Sequence, residues 1–163
     1  MRVSRIGLMA ISCAASLAAF EGAQATQTTA TMSNSATLAA YCTVSTGSLA
    51  FGTYNGSGAV STTANVSVTC TKTTSYTVAL DAGTTSGGSL TVRKLVGGSS
   101  GDTLNYTISQ DSGHTTNWST AASAESGTGN GSAQTLVAYG NIAAGQFVTP
   151  DSYTDTVTVT LTY

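Results

Sequence analysis

Apolar and polar residues alternate along several short stretches of the chain, and this alternation predicts β-strands. In Val66–Cys70, Tyr76–Leu80 and Leu104–Ile108, every second residue is apolar. A period of two is typical of strands that bury one face. A longer run, from Asp155 to the last residue, alternates threonines with Val157, Val159, Leu161 and Tyr163. We therefore expect at least four strands, each with one buried face.

Clusters of glycine, serine and asparagine separate these runs and predict turns. Examples are Asn55–Gly58, Gly97–Gly101 and Gly127–Gly131, the last of which we interpret as a loop. No stretch after residue 25 keeps an apolar period of 3.6 residues, so any helix should be a single turn. Short strands at regular spacing indicate an all-β sandwich or barrel.

A second alternating stretch, residues 30–40, precedes Cys42. Its even-numbered residues are Ala30, Met32, Asn34, Ala36, Leu38 and Ala40, and its odd-numbered residues from Thr31 to Thr37 are all serine or threonine. One interpretation is the first strand of the sandwich itself, and another is a tail that alternates by chance. A third is a strand that pairs with another molecule.

Residues 1–25 have the composition of a secretory signal peptide. Two arginines lie within the first five residues, Ile6–Phe20 is almost entirely apolar or small, and Ala23–Ala25 fits a small-x-small cleavage site. A membrane anchor is disfavoured because a helix needs about 20 apolar residues to span a bilayer. The expected mature chain, residues 26–163, has no second hydrophobic span, so we expect it to be exported without membrane insertion.

Cysteine usage and charge narrow the choice further. Cys13 lies in the leader, which leaves Cys42 and Cys70 as an even pair in an oxidising compartment, and we expect them to form a disulfide. Residues 26–163 contain three cationic and six acidic side chains. That balance argues against a nucleic-acid partner, because binding to phosphates depends on clustered basic residues.

The residue types and their spacing indicate no complete set of catalytic or metal-binding residues. His114, the one histidine, lies in a loop-like stretch, and no acidic pair stands out for glycoside chemistry. No spacing of acidic residues suits calcium, and zinc lacks ligands, so we expect neither cofactor nor metal and no enzyme activity. Trp118 could stack on a sugar, but a tryptophan between strands is more often part of the core.

An ordered set of landmarks resembles the spore coat protein U family. The landmarks run in this order: Cys42–Val44, Leu49–Tyr54, Val66–Cys70, Tyr76–Gly83, Arg93–Leu95, Leu104–Tyr106, Trp118, Tyr139–Gln146 and Tyr153–Tyr163. The resemblance covers nearly all of residues 26–163. The family includes subunits of archaic chaperone-usher pili.

The resemblance implies a specific fold and assembly. It implies an immunoglobulin-like β-sandwich over residues 41–163 that lacks its final strand. A periplasmic chaperone, and then the N-terminal segment (residues 26–40) of another subunit, would complete this sandwich by strand addition. The donor residues would be Ala30, Met32, Asn34, Ala36 and Leu38. The residues of the acceptor edge, which would face the chaperone, would be Val157, Val159, Leu161 and Tyr163.

The leading hypothesis is therefore a structural subunit of a secreted surface fibre, with a role in adhesion or biofilm formation. Its partners would be a periplasmic chaperone, an outer-membrane usher, and copies of itself or related subunits. The alternatives are a self-complete carbohydrate-binding or adhesive module, with Trp118 at its site, and a structural protein of a coat layer.

Overall fold

The computed structural model describes residue 22 and residues 24–163, and within them it contains nine β-strands and one 3₁₀ turn. The strands are β1 (Cys42–Thr46), β2 (Val60–Cys70), β3 (Ser75–Leu80), β4 (Arg93–Gly97), β5 (Thr103–Ser109), β6 (Glu125–Thr128), β7 (Ala133–Ile142), β8 (Tyr153–Thr154) and β9 (Val159–Thr162). The turn is Ala121–Ser123. The predicted all-β class is confirmed.

The strands form two antiparallel sheets that enclose one core. One sheet has the order β1-β2-β7-β5-β4-β8, and the other has the order β6-β3-β9. Buried side chains from both sheets belong to a single apolar cluster, with Val68 of β2, Val78 of β3 and Ile108 of β5 among its least exposed members. Two sheets that pack their apolar faces together form a β-sandwich, as the sequence predicts.

The alternation in the sequence corresponds to the buried faces of the strands. In β3, Tyr76, Val78 and Leu80 are buried, while Ser75 and Thr77 between them are exposed. β2 and β5 follow the same rule over their predicted stretches. The period of two therefore identified these three strands and the face that each one buries.

Two predicted boundaries differ from the structure. The run from Asp155 is not one uninterrupted ladder, because residues 155–158 separate β8 from β9. There the chain leaves β4, its partner at Thr154, and joins β3, its partner from Val159 onward. The predicted loop Gly127–Gly131 begins inside β6, because Gly127 and Thr128 pair with β3. Because this stretch is rich in residues typical of turns, the sequence did not indicate the short edge strand.

The predicted disulfide is present. Cys42 and Cys70 are opposite each other in the β1–β2 ladder, and their sulfur atoms are bonded. The bond fixes the edge strand β1 to β2 across 28 residues of sequence.

Residues 37–163 form one compact unit. From Gln24 to Tyr41 the chain has no helix or strand, and every residue is exposed. The interpretation of Ala30–Ala40 as the sandwich's own first strand is therefore wrong. The predicted signal peptide, residues 1–25, lies outside the described residues except for 22, 24 and 25. No helix in the described part of the chain has the length and hydropathy of a membrane span.

Candidate functional site

The segment from Ser152 to Thr162 uses one of its two backbone edges to join both sheets. The carbonyl oxygens of Ser152, Thr156 and Thr158 accept hydrogen bonds from the amides of Gly98, Thr84 and Asp81, at 3.0–3.1 Å. Further along, Thr160 and Thr162 pair with β3. Even-numbered residues therefore direct their backbone groups to the same side along the whole segment.

The other backbone edge of this segment pairs with no strand in the described structure. Because backbone groups alternate in direction along an extended chain, the amides and carbonyls of the odd-numbered residues from Tyr153 to Leu161 point to that side. β9 is the last strand of its sheet, and β1 is the last strand of the other. An unpaired edge of this kind is a template for an added strand. We call it the free edge.

A cleft opens beside the free edge and reaches the core. Its volume is about 270 Å³, and we call it the central cleft. One wall is the segment that continues from β1, Thr46–Phe51, and the other is Asp155–Val159. The remaining lining residues are Ala64, Val66, Leu80, Leu95, Tyr106, Ile108 and Ala138. The cleft thus exposes part of the apolar interior that a further strand would cover.

A second cavity continues along the same edge. This flanking cleft has a volume of about 710 Å³ and is lined mainly by residues 49–56 and 146–155. Leu49, Phe51, Leu95 and Asp155 line both cavities and so lie between them. Together the two cavities form a groove beside residues 153–159, which we call the edge groove.

The edge groove narrows where β9 approaches β1. There Cα atoms of β1 and β9 lie within 8 Å of each other. That separation is less than the 9–10 Å or so that two strands need when a third lies between them. Val157 and Val159 line the central cleft, whereas Leu161 packs on the core outside it. Tyr163 lies beyond β9 and is 56% exposed.

A hydrogen-bonded cluster holds the point where the segment changes sheets. One oxygen of the Asp155 carboxylate, Oδ1, accepts bonds of 3.0–3.3 Å from the amides and hydroxyls of Thr84 and Thr85. The other, Oδ2, accepts a bond of 2.7 Å from the buried Tyr106 hydroxyl. Burial, together with the bond to Asp155, raises the pKa of Tyr106. Gly83 has φ 81°, and a Cβ there would collide with the Asp155 carboxylate.

Arg93 carries a buried positive charge beside this cluster. Its Nε donates to the Asp81 carbonyl at 2.7 Å, and its Nη2 donates to the Trp118 carbonyl at 2.8 Å. Burial lowers the pKa of Arg93, and the nearby Tyr106, Asp81 and Asp155 act in the opposite direction. Burial opposes the ionisation of Asp81, but hydrogen bonds from Thr158 and Gly83 and the charge of Arg93 outweigh it and lower the pKa of Asp81.

Sequence reasoning missed the role of Asp155. The available signal was its position, because Asp155 shares the inward-facing parity of Val157 and Val159 in an alternating run. A charged residue on the apolar face of a strand needs buried partners. Here those partners come from the loop after β3 and from β5.

The predicted donor residues lie in the segment that has no regular structure. Ala30, Met32, Asn34, Ala36 and Leu38 are all exposed. Met32 is 84% exposed and Leu38 is 85% exposed. Two large apolar side chains on an otherwise small and polar segment therefore face solvent in this chain.

Two of the candidate acidic residues have structural roles, and in the part of the chain that the structure describes His114 lacks a partner that catalysis would need. Asp102 and Asp111 bind the backbone amides of nearby loops. His114 places Nε2 3.4 Å from the Ser61 hydroxyl, but its Nδ1 has no hydrogen-bond partner in the described structure. The orienting acid of a catalytic triad is therefore missing from this pair. Within the described residues, no three metal-ligating side chains cluster.

Trp118 belongs to the core. Its side chain is fully buried, and its Nε1 donates to the Val78 carbonyl at 2.9 Å. A buried indole cannot offer a face to a sugar, so the carbohydrate site suggested for Trp118 is not formed in this structure.

Comparison with known proteins gives a family and a fold. The family model described as Spore Coat Protein U domain matches residues 28–160. Among solved structures, the chain is similar to one in the crystal structure of the CsuC-CsuE chaperone-tip adhesion subunit pre-assembly complex from archaic chaperone-usher Csu pili of Acinetobacter baumannii. The identity is 18% and the TM-score is 0.62, over 78% of this chain and 41% of that one. The chain thus spans less than half of that chain's length. A comparison with curated proteins found no match.

Proposed function

The chain belongs to the spore coat protein U domain family, and from this premise we propose that it is the structural subunit of a chaperone-usher surface fibre. Each subunit would accept a strand in its edge groove and would donate residues 30–38 to the groove of another copy. The contact would join two different surfaces head to tail, and such a contact propagates into a fibre when successive subunits do not close into a ring.

The observation that carries this proposal is the free edge beside an open apolar cleft. A strand added at this edge would bond to the backbone of Tyr153–Val159 and would cover the core residues that line the central cleft. In strand addition, the main-chain bonds give affinity, and alternate side chains in pockets give specificity. Burial of Met32 and Leu38 would each contribute about 1.5–3 kcal/mol.

The proposed partners follow from the same edge. A periplasmic chaperone would occupy the free edge first, because an exposed edge with apolar surface favours aggregation. Val157, Val159 and Leu161 would face its strand, with Tyr163 at the end of the contact. An outer-membrane usher would then exchange the chaperone for the next subunit. The similarity to a subunit from a chaperone-bound pilus complex supports the chaperone as a partner.

A polymerisation assay tests the proposal. Fibres held by inserted strands should survive SDS at room temperature and dissociate on heating, because such polymers are kinetically trapped. Deletion of residues 26–38 should leave a chaperone-bound monomer. Fibres of normal length from the deleted chain would overturn the proposal.

A matched pair of charge substitutions separates insertion from general disruption. Leu38→Asp places a charge on the face that would enter the groove, and it should abolish the SDS-resistant ladder. Thr37→Asp places the same charge on the opposite face, and it should leave the ladder intact. Equal ladders from the two variants would contradict insertion of this face.

The finer biological role follows from the fibre. We propose that the protein passes through the periplasm to the cell surface and that the fibre supports attachment and biofilm formation. Immunogold labelling of intact cells and a surface-attachment assay on a deletion strain test these two statements. Labelling confined to the periplasm, or normal attachment, would contradict them. Labelling of a continuous layer without fibres would favour the coat-layer alternative.

A further inference from the structure

The edge groove consists of two cavities, and the segment proposed as donor carries two large apolar side chains. This inference rests on the proposed function. We propose that residues 30–38 of a second copy enter the edge groove in one register, with Met32 in the central cleft and Leu38 in the flanking cleft. Ala36 would then pass between the cavities, and Asn34 would lie in the central cleft.

The spacing of the cavities matches the spacing of the side chains. Along the free edge, the flanking cleft extends to Tyr153 and Asp155, and the central cleft extends to Val159. Tyr153 and Val159 are six residues apart, as are Met32 and Leu38. Six residues of a strand span about 20 Å. Each large side chain can therefore face its own cavity.

The direction of the added strand follows from the existing ladders. Every strand pair in the described structure is antiparallel. An antiparallel donor whose Met32 lies opposite Val159 has Leu38 opposite Tyr153. The intermediate inward residues then follow: Asn34 lies opposite Val157, and Ala36 lies opposite Asp155.

Ala36 and Asn34 of the donor suit the parts of the edge groove that they would contact. Leu49, Phe51 and Leu95 lie with Asp155 between the two cavities, and alanine is the inward donor residue at that point. Asn34 would be diagonal to Asp155, on the same face of the strand pair. Asp155 is the one charged residue in the lining of the central cleft, and its Oδ2 accepts one bond, from Tyr106. Its remaining acceptor capacity suits the Asn34 amide.

Cysteine pairs within the fibre test this register. Opposite residues of a strand pair have Cβ atoms about 4.5–5.5 Å apart, close enough for a disulfide after slight adjustment. Full-length chains carrying Asn34→Cys with Val157→Cys, or Met32→Cys with Val159→Cys, should give covalent multimers after mild oxidation. These multimers should persist on boiling without reductant and disappear with it. Ala36→Cys with Val157→Cys represents a two-residue slip, and Ala36→Cys with Val159→Cys represents a parallel strand.

The outcomes separate the register from the proposed function. Heat-labile polymers that become covalent with the slipped or the parallel pair, and not with Met32→Cys and Val159→Cys, would overturn the register and leave strand donation intact. Polymers that become covalent with none of these pairs would also overturn it. If the wild-type chain forms no heat-labile polymers, the proposed function fails, and the register fails with it.

A packing variant gives a second readout. Ala36→Leu enlarges the residue that passes between the cavities, whereas Ser35→Leu adds the same side chain on the outward face. Overpacking of a tight site is typically destabilising, and we expect at least about tenfold fewer multimers for Ala36→Leu than for Ser35→Leu. Equal yields from these two variants would overturn the placement of Ala36.

Discussion

Removal of the Asp155 carboxylate should destabilise the domain far more than removal of an exposed carboxylate. In Asp155→Ala, the Tyr106 hydroxyl stays buried without its acceptor, which costs about 1–3 kcal/mol. The partly buried amide of Thr85 also loses its acceptor, which adds about 1 kcal/mol. Arg93 remains buried with one fewer carboxylate nearby. We expect a total loss of about 3 kcal/mol in the free energy of unfolding.

Urea denaturation of the mature chain measures this loss. Trp118 is the single tryptophan and is fully buried, so its fluorescence reports unfolding of the core. With a slope of about 1.5 kcal/mol per molar urea, the midpoint should fall by about 2 M. Asp102→Ala is the matched control, because Asp102 also accepts bonds from a threonine but lies at the surface.

A double-mutant cycle identifies the Tyr106 contact as the cause. Tyr106→Phe alone should cost about 1 kcal/mol, since it removes one buried hydrogen bond. Combined with Asp155→Ala, it should cost nothing further and should recover part of the loss, because it removes the hydroxyl that Asp155→Ala leaves buried without an acceptor. If Asp155→Ala lowers the midpoint no more than Asp102→Ala does, or if the two losses add fully, the assigned role of Asp155 is wrong.

Three further predictions concern acid stability, the disulfide and the core. Backbone hydrogen bonds from Ser100, Ser99 and Ser152 lower the pKa of Asp151 to about 2 from its usual 3.8. Because the folded-state pKa is depressed, this stabilisation is present above pH 3.8 and is lost as the pH falls towards 2. In thermal melts over this range, Asp151→Asn should lose less stability than the wild type, and identical slopes would contradict this prediction. Reduction of the Cys42–Cys70 bond, which closes 28 residues, should cost roughly 3–4 kcal/mol in urea, and a midpoint insensitive to reductant would count against it. Trp118→Phe leaves the Val78 carbonyl without its donor and should cost about 2–3 kcal/mol, measured by circular dichroism. Wild-type stability in that variant would refute the role of the indole bond.

The sequence predicted the strands whose buried faces carry large side chains. β2, β3 and β5 alternate valine, leucine, isoleucine or tyrosine with polar residues, so the period of two was visible. β7 was not predicted, because its buried positions include Ala138 and Gly140. Phe51 and Leu49 pack against Gly140, and a Cβ there would lie 2.9 Å from the Phe51 ring, so this position has no room for a side chain. Close packing thus removed the hydrophobic signal from a central strand.

The candidate site was predictable only in part. The alternation of Val157 and Val159 gave the inward face, and both residues line the central cleft. The change of partner between Thr154 and Val159 was not predictable, because it depends on where β4 and β3 lie in the two sheets. The Asp155 cluster joins residues about 50–70 positions apart in sequence. Local patterns carry no information about contacts over that separation.

The segment that bonds to both sheets also constrains the order of folding. It follows every other described strand in sequence, and its contacts with β3 join Leu80 to Val159. Domains dominated by such non-local pairings fold in milliseconds to seconds, because loop-closure entropy is lost before the contacts form. Until this segment docks, both sheets lack the strand that joins them. Exposed strand edges at that stage favour aggregation, so the time until this segment docks sets the period over which the chain most needs protection.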